Sequence, residues 1–123
     1  MGGSAGRGVT AAHDERQRAL VERIAAILAA LMPEDAVRIR ADGELAESNA
    51  GVAFDWVTDS GAVGAFPFDD QPFEAVIEMS DAFVALRDAT VAAGQEEWSG
   101  IAFTLERDGR FDVELRYADR TAT

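Results

Sequence analysis

The sequence predicts an α+β domain whose elements run helix, two or three strands, helix, two strands, with an antiparallel sheet and both helices packed on one face. Two observations predict it. Apolar residues recur every three or four positions over two long stretches, and at every second position over the stretches that follow. The breaks carry turn chemistry: Pro33 after the first helical run, Ser48-Asn49-Ala50-Gly51 and Asp59-Ser60-Gly61 among the strands, Gly94 after the second helical run, and Asp108-Gly109 near the end.

The first thirteen residues are rich in Gly and small side chains and show no apolar period. A flexible tail is expected there, leaving residues 14–123 as one domain. From Asp14 the pattern turns helical. Leu20, Ile24, Ile27, Leu28 and Leu31 fall on one helix face, Asp14 and Glu15 suit its positive N-terminal end, and Pro33 stops it. Alternation then takes over, with Val37, Ile39 and Ala41 on one side of a strand and Arg38 and Arg40 on the other. A second strand alternates Val52, Phe54 and Trp56 with Ala53, Asp55 and Val57, so the two should form a hairpin. A third, shorter strand is expected around residues 62–66, ended by Pro67 or confined by it to an edge.

The second helix is expected to start at Asp69 or Asp70, either of which can cap, with Pro72 in the first turn. Phe73, Val76, Ile77, Phe83, Val84, Leu86 and Val91 form a broad apolar stripe that reads as core, and Gly94 is a good residue just past the end.

The last hairpin can be read to its register. A two-residue Asp108-Gly109 turn would set Leu105 against Asp112 and Phe103 against Glu114, mixing apolar and acidic side chains on both faces. A three-residue loop, Arg107-Asp108-Gly109 with Gly109 left-handed, instead opposes Leu105 to Phe111, Phe103 to Val113 and Ile101 to Leu115. One face becomes apolar. The other pairs Glu106 with Arg110, Thr104 with Asp112 and Gly100 with Arg116. The sheet face away from the helices should therefore carry Arg38, Arg40, Asp55, Glu106, Asp112, Glu114 and Arg116, open to solvent.

Composition excludes much chemistry. Cysteine is absent, so thiolate nucleophiles, disulfides and sulfur-bound zinc are excluded. His13 is the only histidine and reads as a solvated residue at the helix start, so no dyad, triad or two-histidine metal site can form within one chain. Ser60, Ser80 and Ser99 lack a nucleophile-elbow context, and no phosphate-binding glycine loop occurs. The pairs Asp69/Asp70 and Glu96/Glu97 read as helix caps and as solvated carboxylates in a connection, and no calcium-loop pattern is present. No enzyme activity, catalytic residue, metal or cofactor is expected. No apolar run approaches the roughly 20 residues of a membrane span and no signal-type leader opens the chain, so a cytoplasmic protein without membrane contact is expected.

The chain of 123 residues has 23 acidic and 11 basic residues, all of the latter arginine, for a net charge of -12. That balance, with no basic cluster, excludes direct nucleic-acid binding. It favours a basic partner through electrostatic steering, and it also serves solubility.

The segment Gln95-Glu96-Glu97-Trp98-Ser99-Gly100 through Leu105-Glu106-Arg107-Asp108-Gly109-Arg110-Phe111 to Tyr117 resembles the C-terminal signature of the YezG-like immunity proteins. That signature is an acidic residue near a Trp, a strand ending in Leu-Glu, an Asp-Gly turn, then a basic residue with Phe and a closing Tyr. The helix before it, with Leu86 and Arg87 late in its run, fits too; before Pro67 the match is in element order and length. The motif residues Trp98, Phe103, Phe111 and Tyr117 read as core. The resemblance implies a bacterial antitoxin that binds and blocks a cognate toxin domain, commonly a basic nuclease, of a polymorphic toxin system. The acidic residues Asp69, Asp70, Glu96, Glu97, Asp112 and Glu114 are the candidate contacts. The other reading is an acidic secretion-chaperone-like binding module; such proteins usually close with a further helix, for which residues 118–123 are too short. The sequence leaves a homodimer open.

Overall fold

A computed structural model of the chain describes residues 3–67 and 70–117, with side chains from residue 15 onward. Among these residues the order is α1 (Gly3–Leu31), β1 (Ala36–Leu45), β2 (Ala50–Thr58), β3 (Val63–Ala65), α2 (Phe73–Ala92), β4 (Gly100–Glu106) and β5 (Phe111–Arg116). The strands form one antiparallel sheet in the order β3-β2-β1-β4-β5, so the third strand is present and sits at an edge.

α1 ends at Leu31, where Pro33 requires it to, but it begins at Gly3 and not near Asp14, and its first turn holds no acidic residue. No proline or turn pair lies between Gly3 and Asp14, and once the packed turns exist each further residue costs little to add. The side chain of His13 lies outside the described residues. Ile24 and Leu28 are fully buried, with Leu20, Ile27 and Leu31 partly so.

α2 starts later than the acidic pair suggests. Its N-cap is Pro72, with no side-chain cap. A proline at 72 forces the preceding residue out of the helical region, so the helix cannot reach back to a capping Asp70. The Asp70 amide instead donates to Pro67 O at 3.0 Å, and Gln71 Nε2 donates to Phe66 O and Pro67 O. Asp69 lies outside the described residues. The other end is as expected: Gly94 has φ +92°, its N–H bonds Val91 O, and the next amide, Gln95, reaches back to Thr90 O.

The buried face of α2 is Met79, Ala82, Phe83, Leu86 and Ala89, with polar Ser80, Arg87 and Thr90. Phe73 and Ile77 are 70% and 60% exposed and Val91 is also exposed, so part of the predicted stripe is surface. The stripe is wider than one sheet contact can cover.

Both helices lie on one sheet face, α2 over β1 and β2 and α1 over β1 and β4, packed against each other. Between them and the sheet lie Ile39, Ala41, Phe54, Ile101, Phe103 and Leu105. Phe83 lies directly on the backbone of Gly43, where a Cβ would come 2.6 Å from its ring. A register shift between Ala36 and Arg38 puts Ala36 into the core and leaves Val37 half-buried.

Polar bonds set the helix positions. Buried Arg87 donates from Nη1 to Ala46 O (2.6 Å) and from Nη2 to Glu47 O (2.7 Å), tying α2 to the β1–β2 turn. The Ala50 amide donates to Ser80 Oγ on the other side of that turn. Buried Trp98 donates from Nε1 to Thr90 Oγ1, whose hydroxyl donates to Arg87 O. Arg107 ties the last hairpin to the end of α1 through Pro33 O and Ala36 O.

The β4–β5 hairpin has the three-residue loop and the register that keeps its faces separate, with Leu105 opposite Phe111, Phe103 opposite Val113 and Ile101 opposite Leu115. Gly109 is left-handed at φ +96°. Glu106 stands opposite Arg110 as the register requires, its amide bonding Arg110 O, while the side chains form their ion pairs elsewhere, Glu106 with Arg38 and Arg110 with Asp108, whose carboxylate also takes the Arg110 amide. One expectation is corrected. Phe111 and Tyr117 are not core: they are 50% and 47% exposed, because β5 lies beyond the reach of the two helices, although Phe111 still stacks on Phe103.

Replacing Gly109 with valine should lower stability by about 1 kcal/mol or more, since a β-branched residue is strained at positive φ; a reduced urea midpoint at unchanged slope is the expected reading. The Arg110 amide, and after it the Arg110 side chain, holds the Asp108 carboxyl below its ordinary value. Its contribution is complete above the unfolded-state value of about 4 and is lost as pH falls through the lower folded value. An NMR titration should place the Asp108 midpoint lower in the folded chain than in the urea-unfolded one.

Candidate functional site

The sheet face away from the helices carries charge. Strand alternation brings Arg38, Arg40, Asp42 and Glu44 of β1 onto it, with Asp55 of β2, Thr104 and Glu106 of β4, and Asp112, Glu114 and Arg116 of β5. Every residue that the alternation predicted for this face is there. Asp42 and Glu44 were missed, because Gly43 offers no apolar side chain to show that the strand's period continues to Leu45.

Each arginine on this face already has a partner. Arg40 Nη2 meets Asp55 Oδ2 at 2.7 Å, and that hydrogen bond, with the charge behind it, raises the Arg40 pKa. Arg38 pairs with Glu106. Arg116 crosses β4 to bond Asp42 (3.0 Å), Glu44 (3.1 Å) and Gly43 O, and the Asp42 bond above all raises its pKa. It crosses over Gly100, where a Cβ would lie 2.7 Å from its Nε. Three arginines thus engage four carboxylates, and Asp112 and Glu114 are in surplus: both are exposed, and neither forms an ion pair among the described residues. An open hollow of about 560 Å³ lies on this face between Arg40, Asp55, Trp56, Thr104 and Asp112.

The other candidate contacts lie apart. Asp70 precedes α2, and Glu96 and Glu97 follow it, all exposed. A helix of 20 residues is about 30 Å long, so the two ends do not make one patch. Both ends belong to the helical layer, whereas Asp112 and Glu114 project from the opposite side of the sheet. Glu97 borders a pocket with Glu47, Arg87 and Asp88 at the β1–β2 turn. Among the described residues, no group of three or more His, Cys, Asp or Glu is placed to hold a metal ion, and no helix is long and apolar enough to cross a membrane.

Fold and surface together define a two-layer α+β domain with one uncovered, carboxylate-rich sheet face. The family model described as Immunity protein YezG-like matches residues 18–123, and the chain belongs to this family of immunity proteins. A comparison with curated proteins finds no match.

Gly100→Ala should push the Arg116 guanidinium off Asp42 and Glu44. Because half-exposed ion pairs contribute little, stability should shift by less than about 1 kcal/mol. Faster solvent exchange of the Arg116 Nη hydrogens, which donate to Asp42, Glu44 and Gly43 O, followed by NMR, is the expected signature.

Proposed function

We propose that this chain is an antitoxin that binds a basic, nucleic-acid-cleaving toxin domain of a polymorphic toxin system in the bacterial cytoplasm, covers its substrate groove, and acts by occupancy without catalysis. Membership of an immunity protein family supports the role. The observation that carries the mechanism is the surplus of Asp112 and Glu114 on a sheet face whose arginines are already engaged. A nuclease must hold phosphates with positive charge, so a chain of net charge -12 is drawn toward it and competes for the same surface.

Asp112 and Glu114 make the direct contact. Asp69 and Asp70 at one end of α2, and Glu96 and Glu97 at the other, add to the long-range field that guides approach. Residues 14–123 act as the binding unit, and the first thirteen take no part.

Stopped-flow association with the cognate toxin domain tests this. Association of the unaltered chain should slow steeply as salt rises. Asp112→Asn with Glu114→Gln should slow it by about tenfold at low salt and flatten the salt dependence, with the fold unchanged. Association insensitive to salt would defeat the electrostatic mechanism.

A further inference from the structure

β5 is the last strand of the sheet, so among the described residues one side of its backbone faces no other strand. The Glu106 amide bonds Arg110 O, which fixes the phase of the β4–β5 ladder. Hydrogen-bonded and non-bonded pairs alternate from there, so residues 112, 114 and 116 direct their amides and carbonyls to β4, and Phe111, Val113 and Leu115 direct theirs to the open edge. The same three residues face the helix layer, where Phe111 and Val113 are 50% and 36% exposed. The side chains between them, Asp112 and Glu114, stand on the open face without an ion pair among the described residues. Backbone, apolar side chains and carboxylates are thus all left available along one short strand. The opposite edge, β3, has only three residues.

From this we infer that β5 is an acceptor edge: a basic partner adds a strand alongside it, with Lys or Arg set opposite Asp112 and Glu114 and apolar side chains laid against Phe111 and Val113. The inference rests on the antitoxin reading for the partner's identity and specifies how that partner is held.

Charge favours a basic strand over a second copy of this chain as the occupant, since two chains of net charge -12 repel one another. Antiparallel self-pairing through the open edge must match odd-numbered residues to odd-numbered ones. Centred on 112, it sets Asp112 against itself and Glu114 against Arg110; centred on 113, Asp112 against Glu114 twice; centred on 114, Glu114 against itself and Asp112 against Arg116. Each of these three registers sets carboxylates directly opposite one another and none gives both Asp112 and Glu114 a cation, whereas a strand of alternating basic and apolar residues does.

The test uses the full chain, ¹⁵N-labelled, with three synthetic peptides as probes: one alternating Arg or Lys with Val, its Asp or Glu counterpart, and the basic peptide N-methylated on the amides that would face β5. The basic peptide should bind and slow amide exchange at Phe111, Val113 and Leu115, while the acidic and N-methylated peptides should not. Val113→Pro removes an edge-facing N–H that donates nothing to β4, so the fold should survive and peptide binding should be lost. Asp112→Lys with Glu114→Lys should reverse the preference by about tenfold in favour of the acidic peptide, and it decides the matter if the proline variant does not fold. Equal affinity for both charge signs, protection along α2 in place of β5, or unchanged binding by folded Val113→Pro would overturn the inference. A proline variant that still blocks the toxin domain would overturn strand addition and leave the antitoxin reading standing. Failure of the unaltered chain to bind that domain, with the peptide results as expected, would overturn the antitoxin reading alone.

Discussion

The attachment of α2 to the β1–β2 turn governs the rest of the arrangement. A guanidinium taken out of water needs acceptors, and Arg87 finds them in the carbonyls of Ala46 and Glu47 while Ser80 takes the Ala50 amide nearby. The helix is therefore fixed over the β1–β2 half of the sheet. Phe83 then meets β1 where Gly43 leaves room for a ring against the backbone. α1 packs beside α2 and reaches β1 and β4. Two helices so placed leave most of β5 uncovered, and Phe111 and Val113 stay at the surface although their alternation is that of a core strand, while Leu115 packs against the core.

The exclusive use of arginine has a structural consequence on the opposite side. A planar guanidinium offers several donors in fixed directions, so Arg116 alone can engage Asp42, Glu44 and a backbone carbonyl across an intervening strand. Partial exposure keeps these pairs weak as stabilisers. Their larger effect is on where charge remains: positive charge is matched toward the centre of the sheet and negative charge is left at its β5 edge.

Much of this was legible in the sequence, and the misses have identifiable causes. The β4–β5 register followed from the rule that opposed residues share a face, which needs no tertiary information. Gly94 and Pro33 marked helix ends because glycine readily takes the left-handed conformation that closes a helix, and proline keeps the residue before it out of the helical region. The acidic pair before α2 misled, since Asp is a good cap only if the backbone lets the helix begin there, and Pro72 places the start later. Phe73, Ile77, Phe111 and Tyr117 were read as core because hydrophobicity states what a side chain favours and not whether another element lies above it. Arg87 and Arg107 were visible only as positions in the resemblance and the loop, and their structural role was not: their partners are backbone carbonyls distant in sequence, chosen by the packing of whole elements. The face of the sheet that bears Asp112 and Glu114 was thus readable, but the bareness of the strand's other side was not.

Among the described residues Asp112 and Glu114 form no ion pair through their side chains, and substitutions at such exposed positions ordinarily change stability by no more than about 0.5 kcal/mol. The residues that hold the domain together, Arg87, Trp98, Phe83 and Gly43 among them, lie in other layers. On the proposed antitoxin reading, recognition and foldedness are carried by separate sets of positions. A lineage can revise the first set as an opposing protein changes its surface, swapping charge or size on β5 one residue at a time, without passing through an unfolded intermediate.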